Sequence, residues 1–367
     1  MLSIASFDKW LFDEFCLSDT SLGIYRIIFS SYLILFFGAG SIESLGRMAD
    51  VFYHPPYGPM LLFDGFPSPA VFSVITFLIY LGAFALLLGY RTRWASLVTG
   101  VSLTAGYGFL YSLGKINHNM LLILVPLVMA WSRWGACYSI DRVQGRVPEK
   151  TDVDGWPVAF IAVCLGVALF IAGMAKILGG WLDPSLQAVQ THVVRYYYLY
   201  DRHTLLASML VNIDWPLFWE VADWSTVLLE IGFLFFVFSA SWFRGVIALA
   251  VFFHVSVLLT MGISFLHQIF VYALFVDWKD TLSLGQGSGK GKPLWRDLAK
   301  GECAPALIVA LSCVYYYIGS PVSAFDRLIP LETGGSPTTL ILMLSACTFT
   351  VWKAARKVSA LRSQNST

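Results

Sequence analysis

Residues 156–177, which read WPVAFIAVCLGVALFIAGMAKI, decide the fold of this chain. The segment is apolar from Trp156 to Ala175, and its one charged side chain is Lys176, close to its end. A helix needs about 20 such residues to cross the hydrocarbon core of a bilayer. The segment therefore predicts a membrane-spanning helix with a lysine at the membrane boundary.

The composition extends this prediction to the whole chain. Of the 367 residues, 57% are hydrophobic and 13% are charged, and the mean hydropathy is +0.69. A soluble domain is nearer one quarter charged. Apolar segments recur at 22–40, 70–89, 94–112, 118–134, 156–177, 216–238, 244–261, 264–278, 304–320 and 337–353. We predict an all-α fold, a polytopic integral membrane helical bundle of about 8–10 transmembrane helices.

The N-terminus and the tail complete this organisation. Phe7, Trp10, Leu11 and Phe15 recur at helical spacing among charged residues, which predicts an N-terminal interfacial helix. We divide the chain into a transmembrane domain over 1–280, a Gly- and Lys-rich cytoplasmic linker over 281–303, and two further transmembrane helices with a basic tail over 304–367. The net charge of +1 gives no indication of nucleic-acid binding.

The lysines and arginines predict the orientation of the bundle. If both termini are cytoplasmic, the outer side keeps six of the 24 basic residues and the cytoplasmic side holds the other 18. The six outer residues are Arg47, Lys115, Lys176, Arg195, Arg202 and Arg327. An excess of basic residues on the cytoplasmic side is the usual sign of orientation.

This orientation brings Lys176 and the Asn117–His118 pair to the outer face. Alone, Lys176 is typical of a lysine that extends to the lipid headgroups. Held partly out of water, it is instead a neutral base, with His118 as the donor that supports a developing oxyanion. The outer segments 41–69 and 178–215 carry Tyr57 and Tyr197, so we expect an aromatic pocket for a flat, lipid-soluble ring.

Glu230 and His254 form a second candidate pair. Each lies about ten residues from the turn between two adjacent predicted spans, so both are expected at the same depth of about 15 Å. Two ionisable groups at one depth in a bilayer are expected to meet. A buried structural contact and a proton path or ligand contact remain the alternatives. No histidine pattern typical of a metal site is present.

Several short segments stand out along the chain. In chain order they are TSLGIYRIIF at 20–29, LGA at 81–83, LGYRTR at 88–93, Asn117–His118, YSID at 138–141, IAGMAK at 171–176 with Trp181, Phe253–His254 and MGISF at 261–265. Together they resemble the vitamin K-dependent γ-carboxylase family and its bacterial relatives, the HTTM (horizontally transferred transmembrane) proteins. The likeness covers about residues 5–280.

The resemblance implies a function. In that family the lysine that matches Lys176 deprotonates a reduced quinone, vitamin K hydroquinone, which then takes up O2 on the way to the epoxide. The strong base formed in this way removes a proton from a peptide glutamate, which captures CO2, and the histidine that matches His118 supports the developing charge. In a bacterial inner membrane the quinol would be menaquinol or ubiquinol. We predict that Asn117 assists Lys176 and His118 in catalysis, and that Tyr57, Tyr197, Glu230 and His254 bind the cofactor.

Two departures bear on the substrate. Residues 304–367 are apolar segments and a basic tail in place of the large lumenal domain of the animal enzymes, and Ala175 replaces a second lysine. The quinone half of the reaction is therefore better supported than the carboxylation half, and the acceptor is expected to be a small peptide or another molecule with an acidic C–H. The alternative is an HTTM factor that matures a secreted peptide toxin without carboxylase activity. A transporter or channel is less favoured, because the spans carry few polar residues.

Overall fold

A computed structural model of the chain describes residues 4–37, 42–114, 119–147, 149–151, 154–203, 206–282, 303–318 and 336–364. The described residues form helices and no strands. The helices are α1 Ile4–Lys9, α2 Asp19–Phe36, α3 Pro69–Leu88, α4 Thr92–Leu110, α5 Asn119–Met129, α6 Ile140–Val143, α7 Trp156–Leu178, α8 Ala188–Tyr198, α9 Ala207–Leu210, α10 Pro216–Phe236, α11 Ala240–Met261, α12 Leu266–Tyr272, α13 Trp278–Thr281, α14 Cys303–Ile318 and α15 Pro337–Gln364.

Each predicted apolar segment overlaps at least one of these helices, and the predicted helical membrane bundle is confirmed. Among the described residues, four helices are long and apolar enough to cross a membrane: α3, α7, α11 and the first part of α15, over Pro337–Ala355. The predicted segments at 118–134 and 264–278 contain the shorter helices α5 and α12. The interfacial segment contains α1 and a π-helical turn over Trp10–Glu14. The predicted linker over 281–303 lies almost wholly outside the described residues, and the predicted domain division stays a prediction.

Local sequence signals set the helix ends. Ser18 precedes α2 and its hydroxyl accepts a hydrogen bond from the backbone N–H of Ser21. Proline occupies the start of α3 and α10, where its missing N–H costs nothing. Gly89 and Gly262 end α3 and α11 in the left-handed conformation, with φ of 65° and 64°.

The chain divides into two compact units, and among the described residues the boundaries between them fall within α7 and α12. The first unit comprises residues 1–161 and 270–323, and its core contains Arg26, which is 0% exposed. Its guanidinium donates to five backbone carbonyls, those of Trp134 (3.0 Å), Leu86, Leu87 (3.0 Å), Cys137 (3.3 Å) and Tyr138 (2.6 Å). A buried charge is tolerated when its donors are satisfied in this way.

Asp141 makes a second polar centre in the first unit. Its carboxylate accepts hydrogen bonds from the backbone N–H groups of Arg91 (2.9 Å) and Thr92 (2.7 Å) and from the Thr92 hydroxyl (2.6 Å). Arg146 Nε also donates to it at 3.1 Å. This carboxylate therefore fixes the start of α4 against α6.

The second unit comprises residues 162–269 and 324–367. Val193 of α8, Trp219 of α10 and Met261 of α11 form one buried cluster, with α15 packed against α11. The unit therefore holds the end of α7, including Lys176, together with α8, α10 and α11.

Candidate functional site

The site of the second unit is built around Lys176 and Glu230. Lys176 Nζ donates to Glu230 Oε2 at 2.5 Å, and the side chains are 21% and 9% exposed. Two ionised groups held this close in a water-poor setting attract each other strongly. The charged hydrogen bond also joins the end of α7 to the middle of α10.

A glycine allows the two helices to approach at this point. Gly173 lies one turn before Lys176, and a Cβ built on it would come within 2.8 Å of the Ile231 side chain and 3.2 Å of the Glu230 Cβ. Any larger residue would separate α7 from α10. The Gly173-x-x-Lys176 spacing places the close approach and the lysine on one face of α7.

The end of α7 positions Trp181 over the lysine. The Trp181 N–H donates to the Lys176 carbonyl (3.0 Å), the Gly180 N–H donates to the Ile177 carbonyl (3.0 Å), and Gly180 has φ of 80°. These two bonds and a left-handed glycine define a Schellman motif, which brings the residue after the glycine back toward the last turn. Lys176 Nζ consequently lies 5.2 Å from the centre of the Trp181 ring, a cation–π distance.

Helix α8 flanks the same tryptophan. The rings of Trp181 and His192 are 5.2 Å apart, and His192 Nδ1 donates to the Ala188 carbonyl at 3.0 Å. The start of α8 is held by Asp223 of α10, a buried residue whose two carboxylate oxygens accept from the N–H groups of Ala188 (2.9 Å) and Val189 (2.7 Å). A chain of contacts thus runs from Glu230 through Lys176, Trp181 and His192 back to α10.

The turn that follows Trp181 is ordered by its own polar groups. The backbone N–H and the hydroxyl of Ser185 both donate to Asp183 Oδ1, at 2.9 and 2.7 Å. These hydrogen bonds hold the pKa of the exposed Asp183 carboxyl below its usual range.

His254 lies in α11 of the same unit and is 2% exposed. Its ring stacks on Phe265, with ring centres 4.3 Å apart and planes inclined by 19°. Glu230 accepts a hydrogen bond from Lys176 at 2.5 Å. The sequence analysis had paired Lys176 with His118 and Glu230 with His254, so this contact joins one residue of each predicted pair. The predicted meeting of Glu230 with His254 stays a prediction.

The remaining predicted site residues are Asn117, His118, Tyr57 and Tyr197. Asn117 and His118 are outside the described residues. Tyr57 belongs to the first unit and is 100% exposed. Tyr197 belongs to the second unit, where its ring packs edge-on against His203 with centres 4.4 Å apart. Sequence reasoning missed the role of Asp223, because an acidic residue seven positions after the start of an apolar helix gives no local signal that it caps another helix.

The fold and the site define the class of protein: several apolar helices compatible with an integral membrane protein, and a lysine–carboxylate pair at the end of one of them. The family model of the HTTM domain matches residues 17–279, and the chain belongs to this family. HTTM domains are associated with vitamin K-dependent carboxylase-like membrane proteins. No curated protein and no solved structure matched the chain.

The family match covers the segments that carried the resemblance. Three of them meet in the first unit, because Arg26 of the first binds the carbonyl of Tyr138 and Asp141 accepts from Thr92. A fourth, at 171–181, carries Lys176 and Trp181 in the second unit. The short motifs of the sequence thus carry polar centres of both units.

Proposed function

We propose that this chain is a quinol-dependent membrane enzyme in which Lys176 is the base and Glu230 its proton partner. The observation that carries the proposal is the 2.5 Å contact between Lys176 Nζ and Glu230 Oε2. An ammonium ion has no lone pair, so a lysine base needs a group to take its proton before it acts. The carboxylate of Glu230 is in place to do so.

The proton balance follows from the pair. Transfer from the Lys176 ammonium to Glu230 gives a neutral amine beside a neutral carboxylic acid. Loss of water around the pair favours this neutral form, because separated charges are costly where the dielectric constant is low. A flat ring seated against Trp181 would remove that water, and Lys176 could then accept the proton of a phenolic hydroxyl.

The surrounding residues fit a reduced quinone. Trp181 offers an aromatic face 5.2 Å from the amine, and the exposed Leu178 lies on the last turn of the same helix. Bound there, a quinol would supply the electrons for its oxygenation by O2. The resemblance further proposes Asn117 and His118 as donors to the quinol, and Tyr57, Tyr197 and His254 as contacts of its ring; these roles rest on the sequence. We propose a site at the outer face of a bacterial inner membrane, with CO2 and a small secreted peptide as the further substrates.

The proposal is tested with the full chain reconstituted in lipid and supplied with reduced vitamin K or menaquinol and O2. We expect quinone epoxide from the wild type and a loss of about 10²–10⁴-fold with Lys176→Ala. Lys279→Ala is the matched control: it changes a lysine of the first unit, outside the proposed site, and should keep activity. Absence of epoxide from the wild type, where a known carboxylase produces it, would refute the oxygenase and leave a peptide-maturation factor without this chemistry.

A further inference from the structure

A cavity of about 240 Å³ lies in the first unit. It is lined by Ile27 of α2, Leu88 of α3, Ile140 of α6 and Ala304 of α14, together with Tyr138. The wall is apolar and lies between helices of a membrane protein. A cavity of this kind suits a hydrocarbon chain better than a polar molecule.

The cavity adjoins a cationic group through Tyr90. Tyr90 packs against the cluster formed by Ile140 and Ala304, and the Arg146 guanidinium lies 5.1 Å from the centre of the Tyr90 ring. Arg146 Nε bonds to Asp141, whereas its Nη2 is buried and has no acceptor among the described residues. A buried N–H without an acceptor is unfavourable, so an anionic oxygen at this point would be stabilised.

The same end of the unit carries further positive charge. Arg91, Arg93 and Arg142 are exposed, and none of the ion pairs of the described residues involves them. The Arg93 guanidinium lies 4.0 Å from the centre of the Trp131 ring, which is 52% exposed. Arginines beside exposed tryptophans are typical of the headgroup region of a membrane.

From these contacts we infer a binding site for one anionic phospholipid, with an acyl chain in the cavity and the phosphate at Arg146 and Arg142. Basic pockets between transmembrane helices on the cytoplasmic side bind anionic headgroups. The excess of arginine at this end agrees with that side. The inference does not depend on the proposed quinol chemistry, since its residues belong to the first unit.

The test is native mass spectrometry of the full chain in detergent with added phosphatidylglycerol or phosphatidylcholine. We expect phosphatidylglycerol to be retained in preference, and Arg146→Gln to weaken its binding about fivefold, which corresponds to about 1 kcal/mol for one arginine near a headgroup. Ala304→Leu fills the cavity and should weaken binding without a change of charge. It also keeps the test decisive if Arg146→Gln does not fold.

Arg93→Gln is the matched control. It removes one positive charge from the same end of the first unit, but the Arg93 guanidinium contacts the Trp131 ring and is not part of the proposed phosphate site. We expect it to bind phosphatidylglycerol within about twofold of the wild type. Equal retention of the two lipids, an equal loss with Arg93→Gln, or unchanged binding by Ala304→Leu would each overturn the inference. Preferential retention of a quinone at this cavity would overturn it as well.

Discussion

The Nζ atom of Lys176 lies 2.5 Å from Oε2 of Glu230, although the two residues are 54 positions apart in the chain. The contact depends on three features at the end of α7. Gly173 lets α10 approach, Lys176 supplies the charge, and the turn at Gly180 returns Trp181 over the amine. The pair is therefore a joint between two helices as well as the candidate chemical centre.

A double-mutant cycle separates these two roles. Lys176→Met and Glu230→Leu each leave one charge without its partner, and we expect each to destabilise the protein by roughly 1–3 kcal/mol, less than for a fully buried pair because Lys176 is 21% exposed. The double variant removes both charges, so most of the stability should return while epoxide formation stays absent. Reversible unfolding in mixed micelles measures the free energy of unfolding of each variant.

The control for this cycle is the exposed contact of His203 with Asp201, whose side chains are 50% and 92% exposed. His203→Gln should change the free energy of unfolding by less than about 0.5 kcal/mol. If the losses in Lys176→Met and Glu230→Leu simply add in the double variant, the two side chains are not coupled and the contact contributes nothing specific.

Gly173→Ala tests the close approach of α7 and α10. The added Cβ would lie 2.8 Å from Ile231 and 3.2 Å from the Glu230 Cβ, so the helices must move apart. We expect a loss of about 1–3 kcal/mol in the free energy of unfolding and slower epoxide formation, because the Lys176–Glu230 contact lengthens.

Gly166→Ala is the matched change on the same helix. Its Cβ would lie 3.4 Å from Leu234 Cα, an ordinary van der Waals contact, so alanine should gain about 0.5–1 kcal/mol by helix propensity. If the two substitutions change the free energy of unfolding equally, the close contact of α7 with α10 does not require a glycine at position 173.

Gly180 is predicted to be replaceable only by residues that accept a positive φ. At φ of 80°, Gly180→Val should cost at least about 1–2 kcal/mol, whereas Gly180→Asn should cost clearly less. Gly245→Ala, in the middle of α11 with no atom within 4 Å of the new Cβ, should be neutral or stabilising. Thermal unfolding of the three variants measures the order, and a Gly180→Asn variant as unstable as Gly180→Val would contradict the Schellman turn.

The fold class could be predicted from the sequence because hydropathy reports burial in lipid directly. The rise of a helix also fixes the depth of a residue, which is why Glu230 and His254 were expected to meet. Their meeting stays a prediction, whereas the contact of Glu230 with Lys176 was not expected from the sequence. That contact depends on the packing of α7 against α10 at Gly173, a property of the tertiary structure that helical spacing does not contain.

The first unit illustrates the same limit. The segments with Arg26, Thr92 and Asp141 stood out as motifs, but their roles did not. From the sequence, Arg26 is a charged residue near the start of a predicted span. In the structure its guanidinium donates hydrogen bonds to backbone carbonyls of two other segments. Backbone acceptors leave no trace in the sequence, so a side chain that binds them cannot be paired in advance.

Asp223→Asn is expected to release the start of α8. The carboxylate accepts from the N–H groups of Ala188 and Val189, and an amide offers only one acceptor oxygen. We expect a loss of about 1–2 kcal/mol and faster hydrogen exchange over 188–193. Asp214→Asn changes an exposed aspartate of the same unit and should leave exchange in α8 unaltered. Unchanged exchange in Asp223→Asn would show that the cap is not needed to hold the helix.

Asp141→Asn addresses the polar centre of the first unit. The carboxylate receives donors from Thr92 N, Thr92 Oγ1 and Arg91 N, and it is paired with Arg146. An asparagine would turn an NH2 group toward at least one of these donors and leave Arg146 without a counter-charge, so we expect a loss of about 2–4 kcal/mol. Asp8→Asn, an exposed change, should be neutral. Every donor to Asp141 lies in the first unit, whereas Lys176 lies in the second. Asp141→Asn should therefore lower the free energy of unfolding by a similar amount in the wild type and in Lys176→Met, as measured by chemical unfolding. An Asp141→Asn variant as stable as Asp8→Asn would mean that α4 is held against α6 by apolar packing alone.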